Sequence, residues 1–461
     1  MIGLSKMFSK FPKSLLWRSG IKVLRRATPA GFSKEASSSF IKDDITASAP
    51  KPLIQNVSKG DEKRYLKIAW NDGTSSRFPY IFLRDNCRCP ECFDNASKQH
   101  ILHTVADIGL DIEVKKASLS KDGLTLKCLW PNGHESMYTQ DWLRDTRMRE
   151  GNETRPRNFD SLIKDELILW DRAKLQDKVP SHDYSGLMKD DKNLFDFLYA
   201  LYQHGLVLVN HAPAKDGVIM EMAARIGWNR RTHLGEYWDV KIEDDPTHLG
   251  STAKFLHFHT DLPYYSTTPT IQALHCIQQS SEGGRSTFVD GFNVVKQLKR
   301  INPDAFDVLT DFYVRYSDEG NDAFGEYSLG FSAPIIKLNK FGRVEHFQCS
   351  HFVMSETQND YSPSEVLAFY DAYYQLTKLL YKSENVVDFR LQPGQVALFQ
   401  NTRVMHGRSA YEVIGETSVS AARWLQGTFF EHDVIFSKLR VLQQKLGLKS
   451  PRIYKQSDDF F

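Results

Sequence analysis

The segment FHTDLP, Phe258–Pro263, places His259 and Asp261 two residues apart in an otherwise apolar and aromatic neighbourhood. In a strand, residues i and i+2 project to the same face, so imidazole and carboxylate would stand side by side in one space. On its own the pair has a plain reading as hydrogen-bonded strand neighbours. Its meaning depends on what the rest of the chain can bring to the same place.

The segment NTRVMHGRSAY, Asn401–Tyr411, carries His406 just after a strand expected at 396–400. If His406 joins His259 and Asp261, two imidazoles and one carboxylate occupy one face of a metal and leave three positions open, the pattern of non-haem iron(II) sites. Two open positions can chelate a 2-oxo acid through its carboxylate and keto oxygen, and the third can accept dioxygen. The far carboxylate of such an acid needs a cation. Arg423, in ARWLQGTFF, offers a bidentate fork, and Arg408 is its rival. A hydroxyl from Ser286 or Thr287, in GGRSTFVDG, can assist. His257, His275 and His351 compete as ligands, though each alone reads as a core or surface histidine.

A second cluster lies upstream. In RDNCRCPEC the spacing is Cys-x-Cys-x2-Cys, Cys87, Cys89 and Cys92. Thiolates suit zinc, and a closed structural site is tetrahedral, so a fourth ligand is needed. Cys128, His134, His100 and His103 are candidates. His134, beside the PNG turn at 131–133, is favoured, because a turn between strands can return an imidazole across a sheet. Such a zinc would replace core that a domain of this size cannot supply. The six cysteines form no disulfide framework, which fits a reducing compartment.

The 461 residues allow two domains, and 41% hydrophobic with 12% aromatic content is that of a globular chain. No run of about 18 apolar residues occurs, so no membrane span is expected. Eight of the 59 Lys and Arg lie in residues 1–34 with no acid among them, leaving 51 against 57 Asp and Glu in the remainder. An acidic body disfavours nucleic acid. Residues 1–45, basic, Ser-rich and acid-poor, have the composition of a mitochondrial transit peptide; if they are only a tail, a cytoplasmic location follows. Residues 60–150 read as a small β-rich unit with turns at NDG, KDG and PNG. The polar stretch 146–165 reads as a linker. A larger mixed unit over 166–450 has strand candidates at 204–212 and 270–278. In the helix expected at 365–380, Val366, Phe369, Tyr370, Tyr373, Leu376 and Leu380 form the core stripe; a last helix buries Ile435, Leu439, Leu442 and Leu446. The absence of a βαβ rhythm argues against a Rossmann fold, and no internal repeat is expected.

Together LRDNCRCPEC, FHTDLP, LHCIQQSSEGGRSTFVDGFNV, NTRVMHGRSAYE and DVIFSKLRVLQQK resemble the γ-butyrobetaine dioxygenase and trimethyllysine dioxygenase family of carnitine biosynthesis, more closely the first branch. The resemblance covers most of 64–447. It implies a mainly β protein with flanking helices, a double-stranded β-helix (jelly-roll) catalytic domain preceded by a small zinc-binding domain, often as a homodimer. It implies iron(II) on His259, Asp261 and His406, 2-oxoglutarate on Arg423, and zinc on Cys87, Cys89, Cys92 and His134. The implied reaction uses dioxygen and 2-oxoglutarate, with ascorbate as supporting reductant, to hydroxylate a small molecule, and releases succinate and CO2. For a quaternary trimethylammonium substrate, Trp238 matches a cage position and Phe429 stands where a tyrosine is usual. Leu234 and Gly250 depart from two further aromatic positions, for which Tyr237, Tyr264 or Tyr265 can compensate. The alternatives are the trimethyllysine activity or a paralogue's, a non-catalytic binding module, and a zinc hydrolase on the same ligands.

Overall fold

A computed structural model describes residues 53–60, 64–148, 167–242, 249–279, 281–356, 359–413 and 423–448. The expected presequence over 1–45 and residues 149–165 of the expected linker lie outside the described residues. The chain divides into two compact units, one up to Glu153 and one from Thr154.

The first unit is built twice from one plan. Strands Ile54–Lys59, Tyr65–Trp70 and Ser75–Pro79 form an antiparallel sheet that runs into the helix Tyr80–Asp85. Strands Lys116–Leu119, Thr125–Leu129 and Glu135–Thr139 do the same, ending in the helix Gln140–Asp145. The pattern Leu-Lys-x-x-Trp-x-x-Gly-x-x-Ser occurs at Leu66–Ser76 and again at Leu126–Ser136, and Leu-Arg-Asp closes both helices. Each tryptophan is fully buried, and its indole N–H donates to the serine six residues on, Trp70 to Ser76 at 2.9 Å and Trp130 to Ser136 at 2.8 Å. Without the hydroxyl a buried donor would be orphaned, which is why the two residue types recur together. The expectation of no repeat is therefore corrected. The duplicated signal sits in a few framework positions, while the turns between them have diverged.

In the second unit two sheets face each other. One has six strands in the order Trp238–Val240, Arg423–Phe430, Ile271–Gln279, Val396–Gln400, Leu206–Asn210, Ser181–Asp183, all neighbours antiparallel except the last pair. The other runs Leu256–His259, Val404–Arg408, Ser286–Asp290, Val386–Phe389. Leu206, Leu274, Phe288, Ala397, Phe399 and Leu425 fill the space between them, the inner faces of a jelly roll. Helices Asp191–His204, Val218–Ile226 and His432–Lys445 pack on the larger sheet through one apolar cluster. Helices Gly291–Ile301, Pro303–Asp311 and Pro363–Leu380 form a second cluster with the long hairpin Tyr313–Asp322/Gly325–Pro334.

The last long helix before the site starts at a capping box, Ser362 with Glu365, and Pro363 at its first position. It buries Phe369, Ala372, Leu376 and Leu380, whereas Tyr370, expected in the core stripe, is 53% exposed. Small Ala372 takes the place against the core, and the phenol keeps its hydroxyl in water. Among the described residues no helix is long and apolar enough to cross a membrane.

Candidate active site

The strand that carries FHTDLP ends at His259, earlier than a continuous strand through Asp261 requires. Asp261 stands in the bend beyond it, and Leu262 takes a left-handed φ of 57°. A branched residue there is strained, and such strain persists only where surroundings enforce it. The enforcing group is Asn401, fully buried. Its side-chain oxygen accepts from Asp261 N at 2.8 Å, and its amide donates to Asp261 O at 2.8 Å and Pro269 O at 2.9 Å. Two residues on, Arg403 pairs with Asp290 at 3.0 and 3.1 Å in the core and fixes the turn into the next strand.

His406 on that strand lies opposite His259 in the register. Their rings are 4.2 Å apart, His259 Nε2 is 3.2 Å from one Asp261 oxygen, and His406 Nε2 is 3.6 Å from the other. Two donors about 2.1 Å from one ion at right angles lie about 3 Å apart, so the cluster has the dimensions of a metal face. His259 Nδ1 donates to His257 O at 2.8 Å, which leaves the Nε2 lone pair toward the cluster. Burial, with His259 beside it, pushes His406 down to about 3, so its ring is neutral. For Asp261, burial alone would raise the carboxyl; His406, His259 and the Gln272 amide at 2.7 Å outweigh it and hold the group well below the usual range. His406 thus presents a lone pair and Asp261 an anion at neutral pH.

These groups open into a cavity of about 340 Å³ that also exposes Arg423, Arg408, Ser286, Leu234, Gly250 and Trp238. Arg423 is 3% exposed, and its Nε has no partner among the described residues. Burial and the neighbouring Arg408 lower it to about 10, which leaves it charged. Arg408 is committed elsewhere: its guanidinium donates to the carbonyls of Gly250 at 3.0 Å, Lys254 at 2.9 Å and Thr252. Both terminal nitrogens of Arg408 are thus engaged, whereas its Nε, like that of Arg423, has no partner among the described residues. Ser286 lies across from Arg408 in the register and is buried at the cavity wall.

Trp238 stacks on Phe429 with centroids 4.3 Å apart. A Cβ on Gly427 would come within 2.5 Å of the indole, so glycine lets the ring lie flat on the strand. Phe429 is two residues further along that face, fully buried behind Trp238 and not part of the cavity lining. Of the possible compensating tyrosines, Tyr264 lines the cavity; Tyr237 and Tyr265 do not. His257, His275 and His351 lie outside the metal cluster. Gln272, Asn401 and Gly427 are parts of the site that residue-type reasoning missed. A glutamine inside the apolar strand IQALHC was the available signal.

In the first unit Cys87, Cys89, Cys92 and His134 converge, with His134 Nε2 at 3.4, 3.6 and 3.6 Å from the three sulfurs. Sulfur and nitrogen at zinc bonding distances in a tetrahedron lie about 3.5 Å apart. Arg84 donates to Cys92 Sγ at 3.1 Å, and Glu91 lies 3.3 Å from His134 Nδ1. Cys128, a rival fourth ligand, is buried in the repeat core outside the cluster.

The family signature described as taurine catabolism dioxygenase TauD, TfdA family matches residues 172–429, and the γ-butyrobetaine hydroxylase-like N-terminal signature matches 57–144. γ-Butyrobetaine dioxygenase of Homo sapiens is 32% identical over 394 residues, 85% of this chain and 98% of that one. The enzyme of that name from Pseudomonas sp. is 30% identical over 82% of this chain and 94% of its own. Mitochondrial trimethyllysine dioxygenase of Rattus norvegicus is 26% identical, over 80% and 83%. A match over nearly the whole length of the γ-butyrobetaine dioxygenases, with one signature falling in each compact unit, leaves one conclusion: the chain belongs to the γ-butyrobetaine dioxygenase family of iron(II)- and 2-oxoglutarate-dependent dioxygenases.

Proposed function

We propose that this dioxygenase hydroxylates 4-trimethylammoniobutanoate to L-carnitine, with 2-oxoglutarate converted to succinate and CO2. The observation that carries the reading is one cavity holding the His259, Asp261 and His406 cluster together with the Arg423 guanidinium, whose Nε has no partner among the described residues, and the indole of Trp238. Identity of 32% to γ-butyrobetaine dioxygenase over nearly its whole length supports the choice of substrate.

Bound iron supplies the oxygen chemistry, joining decarboxylation of the 2-oxo acid to insertion of an oxygen atom into a C–H bond. The protein does the rest. His259, Asp261 and His406 hold the ion from one side. Arg423 takes the far carboxylate of 2-oxoglutarate in a fork, with the Ser286 hydroxyl beside it. Trp238, backed by Phe429, offers its face to the trimethylammonium group, which has no N–H to donate. Leu262, Pro263 and Leu274 keep water from the reacting carbon. Ascorbate keeps the iron reduced, zinc on Cys87, Cys89, Cys92 and His134 holds the first unit together, residues 1–45 direct the chain to mitochondria, and two copies form a dimer.

The test is product analysis. Purified protein with iron(II), ascorbate and 2-oxoglutarate should release succinate in step with L-carnitine when 4-trimethylammoniobutanoate is added. Succinate release indifferent to that compound refutes the reading. A second reading, hydroxylation of trimethyllysine or another small molecule, draws on Leu234 and Gly250 in the cavity wall, where an aromatic cage would close. Faster product formation from trimethyllysine in the same assay would select it.

A further inference from the structure

Besides Asp261, two carboxylates border the cavity, those of Asp318 and Asp239. Asp318 lies on the hairpin strand Tyr313–Asp322 and reaches the cavity wall near Leu234, Trp238, Leu262 and Tyr264. Asp239 also borders the cavity, but its carboxylate is taken by the Trp424 indole at 2.8 Å, the Gln426 amide at 3.1 Å and Lys241 at 3.0 Å. Asp318 accepts from the Tyr327 hydroxyl at 3.2 Å, and the Tyr264 hydroxyl lies close to the same carboxylate. Burial and this carboxylate push the Tyr264 hydroxyl far above its ordinary value, so it remains a donor.

A carboxylate has about four acceptor sites, so capacity remains beyond the bond from Tyr327. Among the described residues no Lys, Arg or His pairs with Asp318. A half-buried anion beside an apolar and aromatic wall is costly until a cation joins it. We infer that Asp318 receives the positive charge of the substrate, while Trp238 packs against the groups that carry it, and that this pair restricts the cavity to cationic substrates. Asp318 is thus a specificity-determining residue on the hairpin, separate from the metal frame. The inference rests on the proposed reaction only in taking this cavity as the substrate's.

The test compares 4-trimethylammoniobutanoate with its isostere 5,5-dimethylhexanoate, in which a neutral tert-butyl group replaces the trimethylammonium and the carboxylate is kept. Full-length protein is loaded with manganese(II) and 2-oxoglutarate without oxygen, and both dissociation constants are measured by calorimetry. The parent protein should prefer the cation by about tenfold or more, and Asp318→Asn should reduce that preference by about tenfold. Asp318→Glu should recover part of it, which loss of a purely structural hydrogen bond would not do. Asp318→Ser serves if the Asn variant fails to melt cooperatively. A preference unchanged within about twofold in the variants, no preference in the parent, or no binding of either probe overturns the inference. Intact charge preference without carnitine formation sinks the proposed reaction and spares Asp318; carnitine formation with no effect at Asp318 does the reverse.

Discussion

Replacing Gln272 with methionine separates what holds the fold from what holds the metal. Gln272 is 2% exposed, and its amide donates to Asp261 at 2.7 Å, while its own side-chain oxygen is buried without a partner among the described residues. Losing a hydrogen bond to an ionised group costs about 1.5–3 kcal/mol, and removing a buried orphan acceptor returns about 1–3 kcal/mol. Methionine has nearly the same volume, so packing adds little. The two terms cancel to within about 1 kcal/mol, and the melting temperature of the metal-free protein should shift by no more than a few degrees. Metal affinity has no such compensation. The carboxylate loses the donor that aims it at the two imidazoles, and outer partners of this kind are worth about 10–100-fold in affinity. Competition titration of iron(II) or manganese(II) against a fluorescent chelator measures the second quantity and a thermal melt the first. Affinity within about threefold of the parent would refute the reasoning. So would a fall in affinity accompanied by a large loss of stability, because Gln272 would then act on the fold.

Arg423→Lys should raise the KM for 2-oxoglutarate by about tenfold or more, because an ammonium cannot form two parallel bonds to a carboxylate; Arg408→Lys should instead lower the melting temperature, since its guanidinium ties down the carbonyls of residues 250–254. Burial pushes His275 and His346 down to about 4 from 6.5, so unfolding takes up protons between those values. Stability present above pH 6.5 should be lost as the pH falls toward 4, by at most about 3 kcal/mol for each ring, read by urea denaturation across that window. Stripping metal with a strong chelator, or Cys89→Ala, should unfold the first unit in preference to the second, with one zinc per chain found by metal analysis of the untreated protein. Leu234→Tyr adds an aromatic face beside Trp238 and should tighten 4-trimethylammoniobutanoate by roughly 2–10-fold without changing metal affinity, measured by calorimetry.

The metal clusters were legible because their chemistry admits few residue types. Three thiols within six positions, and two histidines with one aspartate near strands, have few other uses. The partners of those ligands were harder to read. Asn401 works through hydrogen bonds to the main chain of a segment 140 residues away, and any small polar residue in a turn looks the same in one dimension. Phe429 was expected to face a ligand, yet alternation along Arg423–Phe430 puts it on the face of Gly427, beneath the indole. The exposed Tyr370 shows the limit of helical periodicity, which marks a stripe but not its width. The repeat escaped notice because its shared positions are spread thinly among unrelated ones.

That repeat also bears on the place of the Cys87, Cys89, Cys92 and His134 cluster. Arg144, closing the second helix, donates to Asp72 at 2.7 Å and Thr74 at 3.0 Å in the turn of the first repeat. Arg84, its equivalent, donates instead to Cys92, whose cluster includes His134, the counterpart of Thr74 in the other turn. The arginine of each helix thus serves the turn of the opposite repeat, once through a carboxylate and a hydroxyl, once through thiolates and an imidazole. Three thiolates around a divalent ion leave a net negative charge, and a buried guanidinium balances it as Arg144 balances Asp72. The proposed zinc site would therefore stand where the other half of the duplicated framework places a charge contact. On this account Arg84 belongs to the metal site as much as to the helix, although no ligand spacing could have pointed to it.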